Sequence, residues 1–360
     1  MIYTVVLKFV KLVKTNDEAK MKHLFVVNPK SFLKETDMMD VIKDIRTYFD
    51  SNSDGGYAVH ISRYPRDAIR AVKKYIQSTD DIVRVYAVGG DGILYDCLNG
   101  MAEFSGAQLA TIPYGSFNEF CRVFGDGKEK IFRDIKLQTE AGTVPVDILY
   151  LGHKYALSFC VMGVEAFAYY RFLEIRKRLP LLPRKLYKAM LLLGSFLAIA
   201  DKKTYARNYE ITIDGQNYDG KYMAVNISNG GCYGGDMIPA PMAHPGDGML
   251  DIIMIKNISR VRLLSIIDSY TKGKYYTFEA QTQDRRQEQG IGHVNNKYEK
   301  FIKHMRCKEI VIRSENPMHI MIDGEMHYDN YIHINVIPGA VEFAAPGGLS
   351  YAVRGEGYEQ

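Results

Sequence analysis

Cysteine is scarce in this chain and its copies are scattered: five in 360 residues, at Cys97, Cys121, Cys160, Cys232 and Cys307. An odd, widely spaced set with no CxxC pair and no Cys/His cluster excludes a disulfide scaffold and a zinc-ligand array. It fits free thiols in a reducing cytoplasm. Long apolar runs are also lacking. The longest, Ala189 to Ala200, falls short of the roughly 18 residues a bilayer span needs, which argues against a transmembrane helix. Residues 1–14 alternate apolar positions with Lys8, Lys11 and Lys14. They have neither a sustained apolar core nor a small-residue cleavage site, so they do not read as a signal peptide. Low-complexity tracts and internal repeats are missing, and a formal net charge of +4 is too small to imply a nucleic-acid partner. What is there is a globular composition, 47% hydrophobic and 24% charged, in a chain long enough for two domains. Charge is uneven. Between Arg171 and Tyr205 nine Lys or Arg face only Glu174 and Asp201, which makes that stretch +7 and the remainder −3.

Met21-Lys22-His23 directly precedes an apolar run of strand length, Leu24 to Val27, so Met21 reads as an alternative start and residues 1–20 as an extension of uncertain role. Asn28-Pro29-Lys30-Ser31 closes the run. Met38, Val41, Ile42, Ile45, Tyr48 and Phe49 recur at helical spacing. Tyr57 to Ile61 reads as a strand, Arg66 to Ile76 as a helix, and Arg84 to Val88 as a buried strand ending in Gly89-Gly90-Asp91-Gly92. A helical segment, Ile93 to Met101, follows at once, then the apolar run Leu109 to Ile112. This alternation predicts a parallel, doubly wound α/β domain over 21–142. From about Gly142 the texture becomes short strands punctuated by Asp214-Gly215, Asp219-Gly220, Asp247-Gly248 and Asp323-Gly324. That predicts an antiparallel β-rich domain over 143–337, interrupted by helices near 165–200 and 260–272. Beyond Pro338-Gly339 only Val341 to Phe343 suggests a last strand.

Several stretches combine chemistry-bearing residues. Strand, glycine-rich turn and helix, in the order found around Gly89 to Gly92, bring backbone N–H groups at a helix start to face a phosphate. Asp91 inside the turn would repel a bare phosphate. It makes sense if it holds a Mg²⁺ through water, orients a hydroxyl, or bonds to the turn itself. In Gly115-Ser116-Phe117-Asn118-Glu119, Ser116 and Glu119 have the spacing of a capping box; alternatively Ser116 donates to a phosphate and Glu119 reaches a metal. The glycines of 230–235 read as loop geometry or as a substrate-lining loop. His244-Pro245-Gly246-Asp247-Gly248-Met249-Leu250-Asp251 reads as a hard-cation loop or a metal-free turn. Asp323-Gly324-Glu325 is a hairpin turn with two carboxylates, where a hydroxyl proton could be accepted. The cationic stretch 171–205 with its leucines reads as a membrane-surface element or as a core helix with a solvated basic flank.

Taken together these pieces resemble the bacterial diacylglycerol-kinase-like lipid kinases, which share a catalytic domain with sphingosine kinases. Asn28 to Ser31 looks like that family's first phosphate loop. GGDGILYDCLNG, from Gly89 to Gly100, looks like its GGDGTxNEVxNG signature, and PYGSFNEFCR, from Pro113 to Arg122, is similar to its P-x-GTxNDFAR element. Val146-Asp147, the glycine loop 230–235, Asp247 to Asp251 and Asp323 to Glu325 fall where the family has equivalents. The resemblance implies an α/β plus β fold: an N-terminal Rossmann-like domain and a C-terminal β-sandwich-like domain, with the tail from about 338 to 360 returning to the first. It implies ATP- and Mg²⁺-dependent phosphoryl transfer to a lipid hydroxyl, diacylglycerol or a related lipid alcohol. By position, Asn28, Pro29, Lys30, Ser31, Phe32, Ser62, Gly89, Gly90, Asp91, Gly92, Ile93, Tyr95 and Ser116 line the nucleotide. Asp91 and Glu119 join the catalytic Mg²⁺–water network, and Asp323 or Glu325 is the general base. Asp247, with the carbonyls of His244 and Met249, forms a separate structural Mg²⁺ site. The expected setting is cytoplasmic and peripheral to an anionic membrane surface, with homodimerisation open.

The chain departs from the pattern where a family glycine is Phe32, where the threonine after GGDG is Ile93, and where an asparagine is Tyr95. A lost hydrogen bond to a charged phosphate is worth roughly 1.5–3 kcal/mol, about one to two decades in rate. A weakly active or non-catalytic lipid- or nucleotide-binding protein is therefore the alternative. NAD kinase shares the GGDG element but is expected to carry a GSTAY-type sequence where this chain has Gly115 to Glu119.

Overall fold

The computed structural model describes residues 21–52, 56–179, 183, 186–201, 205–235, 237–278 and 292–352. The expectations for residues 1–20, Asp236 and the tail beyond 352 lie outside them. Two compact units divide the chain: one runs to Ile148 and is completed by Ile337–Ala352, the other runs from Leu149 to Val336.

The first unit is wound from β1 (Met21–Val27), α1 (Glu35–Ser51), β2 (Tyr57–Ile61), α2 (Asp67–Gln77), β3 (Ile82–Gly89), α3 (Asp91–Met101) and β4 (Ala107–Pro113). Two short helices, α4 (Glu129–Arg133) and α5 (Ile135–Thr139), follow. Strands pair in parallel in the order β2-β1-β3-β4. Buried on both faces, β1 and β3 read as near-continuous apolar runs rather than alternating ones. Phe25 stacks on Tyr86 at 4.2 Å between ring centroids, and Met38, Val41, Ile42 and Ile45 of α1 close over them. Arg84 is the exception inside β3. Its guanidinium is buried but donates to the carbonyls of Gln138 (2.8 Å), Thr139 (3.1 Å) and Ala141 (2.8 Å), so the cost of burying a charge is met by oriented acceptors.

The second unit contains β5 (Gly142–Tyr150, which begins in the first unit), β6 (Tyr155–Ala156), β7 (Phe159–Gly163), α6 (Val164–Arg178), α7 (Tyr187–Ala200), β8 (Arg207–Ile213), β9 (Gln216–Asn217) and β10 (Gly220–Ser228). It continues with β11 (Leu250–Lys256), α8 (Arg260–Thr271), β12 (Tyr276–Phe278), β13 (Gly292–Val294), β14 (Ile302–Cys307), β15 (Glu309–Ile322) and the first part of β16 (Glu325–Ala345). Its strands pair antiparallel in the order β14-β11-β10-β7-β15-β16, with β8 joining β10 and β15. β16 is longer than the sequence suggests. It passes through Pro338-Gly339, and its last residues pair in parallel with β4, Glu342 opposite Gln108 and Phe343 opposite Leu109. Gly339 takes a positive φ of 56° there and donates its N–H to the buried Asp147 carboxylate at 2.7 Å.

Candidate functional site

Four segments leave the same edge of the first unit's sheet, because parallel strands all end at one side. The backbone ties them in sequence: Ser62 N–H to Val27 O (2.9 Å), Asn28 N–H to Val88 O (3.0 Å), and Tyr114 N–H to Gly89 O (2.7 Å). Ligands of open α/β sheets bind outside this carboxyl edge. Gly90 and Gly115 meet backbone to backbone there. A Cβ on Gly115 would fall 2.4 Å from the Gly90 Cα, and one on Gly90 would fall 2.8 Å from the Gly115 Cα. Any side chain would force the two loops apart, which is a physical reason for glycine at both places. Gly89 is crowded on its other side by Ser31 Oγ and Ile93 Cγ2.

Asp91 opens α3, and its carboxylate crosses to the next loop, accepting from the N–H of Asn118 (3.0 Å) and of Glu119 (2.6 Å). Burial pushes its carboxyl up, while the N–H groups of residues 118–120 pull it back toward the anion. Asn118 sits at φ 52° and locks the loop from inside, its Oδ1 accepting from Gly115 N–H (2.8 Å) and its Nδ2 donating to Gly115 O (3.1 Å). Sequence reasoning passed over Asn118; its signal was that Asn tolerates the left-handed region. The capping box at Ser116 does not form. The turn of 3₁₀ helix starts at Glu119, its N–H groups are taken by Asp91, and Ser116 is exposed on the loop.

The first loop is a 3₁₀ turn, Pro29–Ser31, that satisfies its own donors. Lys30 N–H goes to Asn28 Oδ1 (3.1 Å), Ser31 N–H to Asn28 O (3.0 Å) and Phe32 N–H to Pro29 O (3.2 Å). What it offers outward is the exposed Lys30 side chain. Phe32 has an ordinary extended backbone, and its ring packs on Tyr114 at 4.7 Å, so replacing glycine there distorts nothing. The expectation that Ile93 and Tyr95 line a ligand is narrowed: both side chains are buried, with Tyr95 under the Arg66 guanidinium, which also pairs with Asp96 at 2.6 Å. At this helix start the exposed residue is Gly92.

Asp91 and Glu119 are oxygen donors of the type a Mg²⁺ that keeps most of its water takes, and both Asp91 oxygens accept backbone N–H groups. Among the described residues no three His, Cys, Asp or Glu side chains gather into a metal cage. The Asp91 carboxylate nevertheless bonds the backbone N–H of the buried Glu119, which brings the two residues to one place, and Mg²⁺ is commonly held by one or two carboxylates plus substrate phosphates. The second expected metal site fits poorly. Asp247 Oδ1 accepts from Met249 N–H (2.9 Å), Oδ2 is paired with the Arg306 guanidinium, and His244 Nδ1 accepts from Gly246 N–H (3.1 Å). His304 Nε2 stands 2.7 Å from Asp251 Oδ1, so protein side chains already face both acids of this turn. A Mg²⁺ on Asp247 would have to displace Arg306.

Asp323 and Gly324 form a two-residue hairpin turn, with φ 44° and 81°, and Glu325 follows it. The two carboxylates are not equivalent. Asp323 is buried and its carboxylate accepts three backbone N–H groups, from Leu157 (2.6 Å), Ser158 (3.0 Å) and Phe159 (2.9 Å). That makes Asp323 the clasp between this hairpin and the start of β7. Glu325, half-buried at the first position of β16, is the carboxylate of the pair with an exposed portion to present.

Comparison with known proteins follows the same division. Residues 22–151 match the family model of the diacylglycerol kinase catalytic domain, and residues 187–345 match the YegS C-terminal NAD kinase beta sandwich-like domain. A "Putative lipid kinase" of Staphylococcus aureus (strain JH9) is 24% identical over 265 residues, 73% of this chain and 77% of that protein. Among solved structures, a "putative diacylglycerol kinase" from Bacillus anthracis str. Sterne superposes with a TM-score of 0.68 at 23% identity, covering 94% of this chain and 100% of that one. A diacylglycerol kinase from the same organism gives 0.62 at 21% identity, covering 91% and 98%. At such identities the structural likeness speaks for the fold: an N-terminal catalytic-type α/β domain followed by a β-sandwich-like one.

Proposed function

This chain belongs to the diacylglycerol-kinase-like lipid kinase family, and from that premise we propose that it moves the γ-phosphoryl group of ATP to the hydroxyl of a lipid alcohol, with diacylglycerol the leading acceptor class. The observation that carries the reading is the contact of Gly90 with Gly115, which packs two loops backbone to backbone beside the start of α3. The helix start supplies N–H groups and a positive dipole end. Lys30 supplies a counter-charge, and Ser116 a hydroxyl. Mg²⁺, when bound through water to Asp91 and Glu119, would neutralise charge on the phosphate oxygens. Glu325 takes the proton of the acceptor hydroxyl as the lipid oxygen bonds to phosphorus and the bond to the β-phosphate oxygen breaks, leaving ADP. Little covalent chemistry falls to the protein in such a transfer; positioning and charge neutralisation carry most of it.

A second reading, binding without turnover, draws on the buried Ile93 and Tyr95, which leave the first turn of α3 without the polar side chains of the family pattern. The two separate in one experiment. Radiolabelled phosphate from ATP should appear in a lipid product with the parent protein and fall by two decades or more with Asp91→Asn. ATP binding with no labelled lipid would support the second reading.

A further inference from the structure

We infer that the outward face of α7, with the basic end of α6 beside it, is a docking surface for an anionic lipid bilayer; the inference deepens the lipid-kinase reading by naming the surface that meets the acceptor's membrane. The two helices pack through their smallest groups. A Cβ on Gly194 would fall 2.5 Å from Ala168 O and 3.0 Å from Phe172 N, so the backbones are in contact. Met190, Ala198 and Ile199 complete the inward face. The large side chains therefore turn out. Leu192 is 71% exposed, Phe196 66%, Leu193 49% and Leu197 40%, and with Ala189 and Ala200 they form one stripe at helical spacing. This inverts the usual arrangement, in which a helix buries its leucines, while Ala198 and Ile199 on the other face join the core. No helix among the described residues is long and apolar enough to cross a membrane, so the face suits a helix lying in the interface.

Charge selects the occupant. From Tyr187 to Ala200 the only charged side chain is Lys188. The last turn of α6 carries the exposed Arg176, Lys177 and Arg178, and Arg176 lies 5.8 Å from the Tyr187 ring, which holds the basic end against the start of α7. A second copy of this face offers no acid between Tyr187 and Ala200 to meet the basic end. An anionic headgroup layer neutralises that end while the acyl boundary takes up the leucines and Phe196.

The test is co-sedimentation of the full chain with vesicles of phosphatidylcholine alone or with phosphatidylglycerol, neither containing diacylglycerol. The parent should bind the anionic vesicles. Leu192→Ser with Phe196→Ser should weaken binding at least tenfold at an unchanged unfolding temperature, since both side chains are exposed. Arg176→Glu with Lys177→Glu and Arg178→Glu should remove the anionic preference, about fivefold per residue. Equal binding by all three proteins, or no binding by the parent, overturns the inference. So does a concentration-dependent dimer that Phe196→Ser abolishes, which would assign the face to a second copy. Turnover on a short-chain acceptor without vesicles reads the kinase proposal separately, so either can fail alone.

Discussion

Asp323 and Glu325 are two residues apart and chemically near-identical, yet their surroundings divide the work. Asp323, buried and holding the three backbone N–H groups of residues 157–159, clasps its hairpin to the start of β7, and removing it leaves buried donors without partners. Asp323→Ala is expected to lower stability by about 3 kcal/mol, read as a shifted denaturant midpoint. Glu325→Gln should leave that midpoint in place and lower kcat by two to four decades. Equal loss of activity without loss of stability in both variants would contradict this division. His23 gives a pH signature of the fold. Burial, and then the charge of Arg84, holds its pKa down at about 4, with Nδ1 at 2.8 Å from Tyr86 OH. The unfolded chain, with a histidine pKa near 6.5, therefore binds a proton before the native state does. Stability from this residue is complete above about pH 6.5 and declines as pH falls toward 4. Urea unfolding at stepped pH should show that slope, and His23→Phe should lack it. None of this is legible in the sequence: a carboxylate's partners and a histidine's burial are set by residues distant along the chain.

Among the elements, the glycine turns were the most readable feature and their contact the least. GGDG before a helix predicts a phosphate-type turn from local rules, but the pairing of Gly90 with Gly115 depends on β3 and β4 lying side by side. Gly115→Ala should cost about 1–3 kcal/mol by overpacking and abolish nucleotide binding, measured by thermal unfolding with and without ATP. Gly142→Ala is the control, since nothing lies within 4 Å of a Cβ there, and it should leave both readings unchanged. Helix α7 makes the opposite case. Its composition announces a buried apolar helix, and only the packing of Gly194 against Ala168 reveals which face is covered. The turn at Asp247 was legible as acidic and tight; that Arg306 and His304 are the side chains that meet its acids comes from the pairing of β11 with β14.

For the whole molecule, the order of motifs along the chain was enough to predict an α/β domain followed by a β-rich one, because alternating strand and helix patterns give way to short strands broken by Asp-Gly turns. Beyond Pro338-Gly339 the sequence shows little pattern for a physical reason. A single strand exchanges an antiparallel partner for a parallel one at that point, with Gly339 supplying the positive φ and Asp147 accepting its N–H. The central claim, that this fold transfers phosphate to a lipid, is tested most directly by ADP release from the purified full chain with ATP and Mg²⁺ across mixed micelles of diacylglycerol, monoacylglycerol, sphingosine, phosphatidylglycerol and undecaprenol. Release that depends on one of these lipids and is lost in Asp91→Asn is the predicted result. ATP binding without lipid-dependent release in any micelle, or full release in Asp91→Asn, would contradict it.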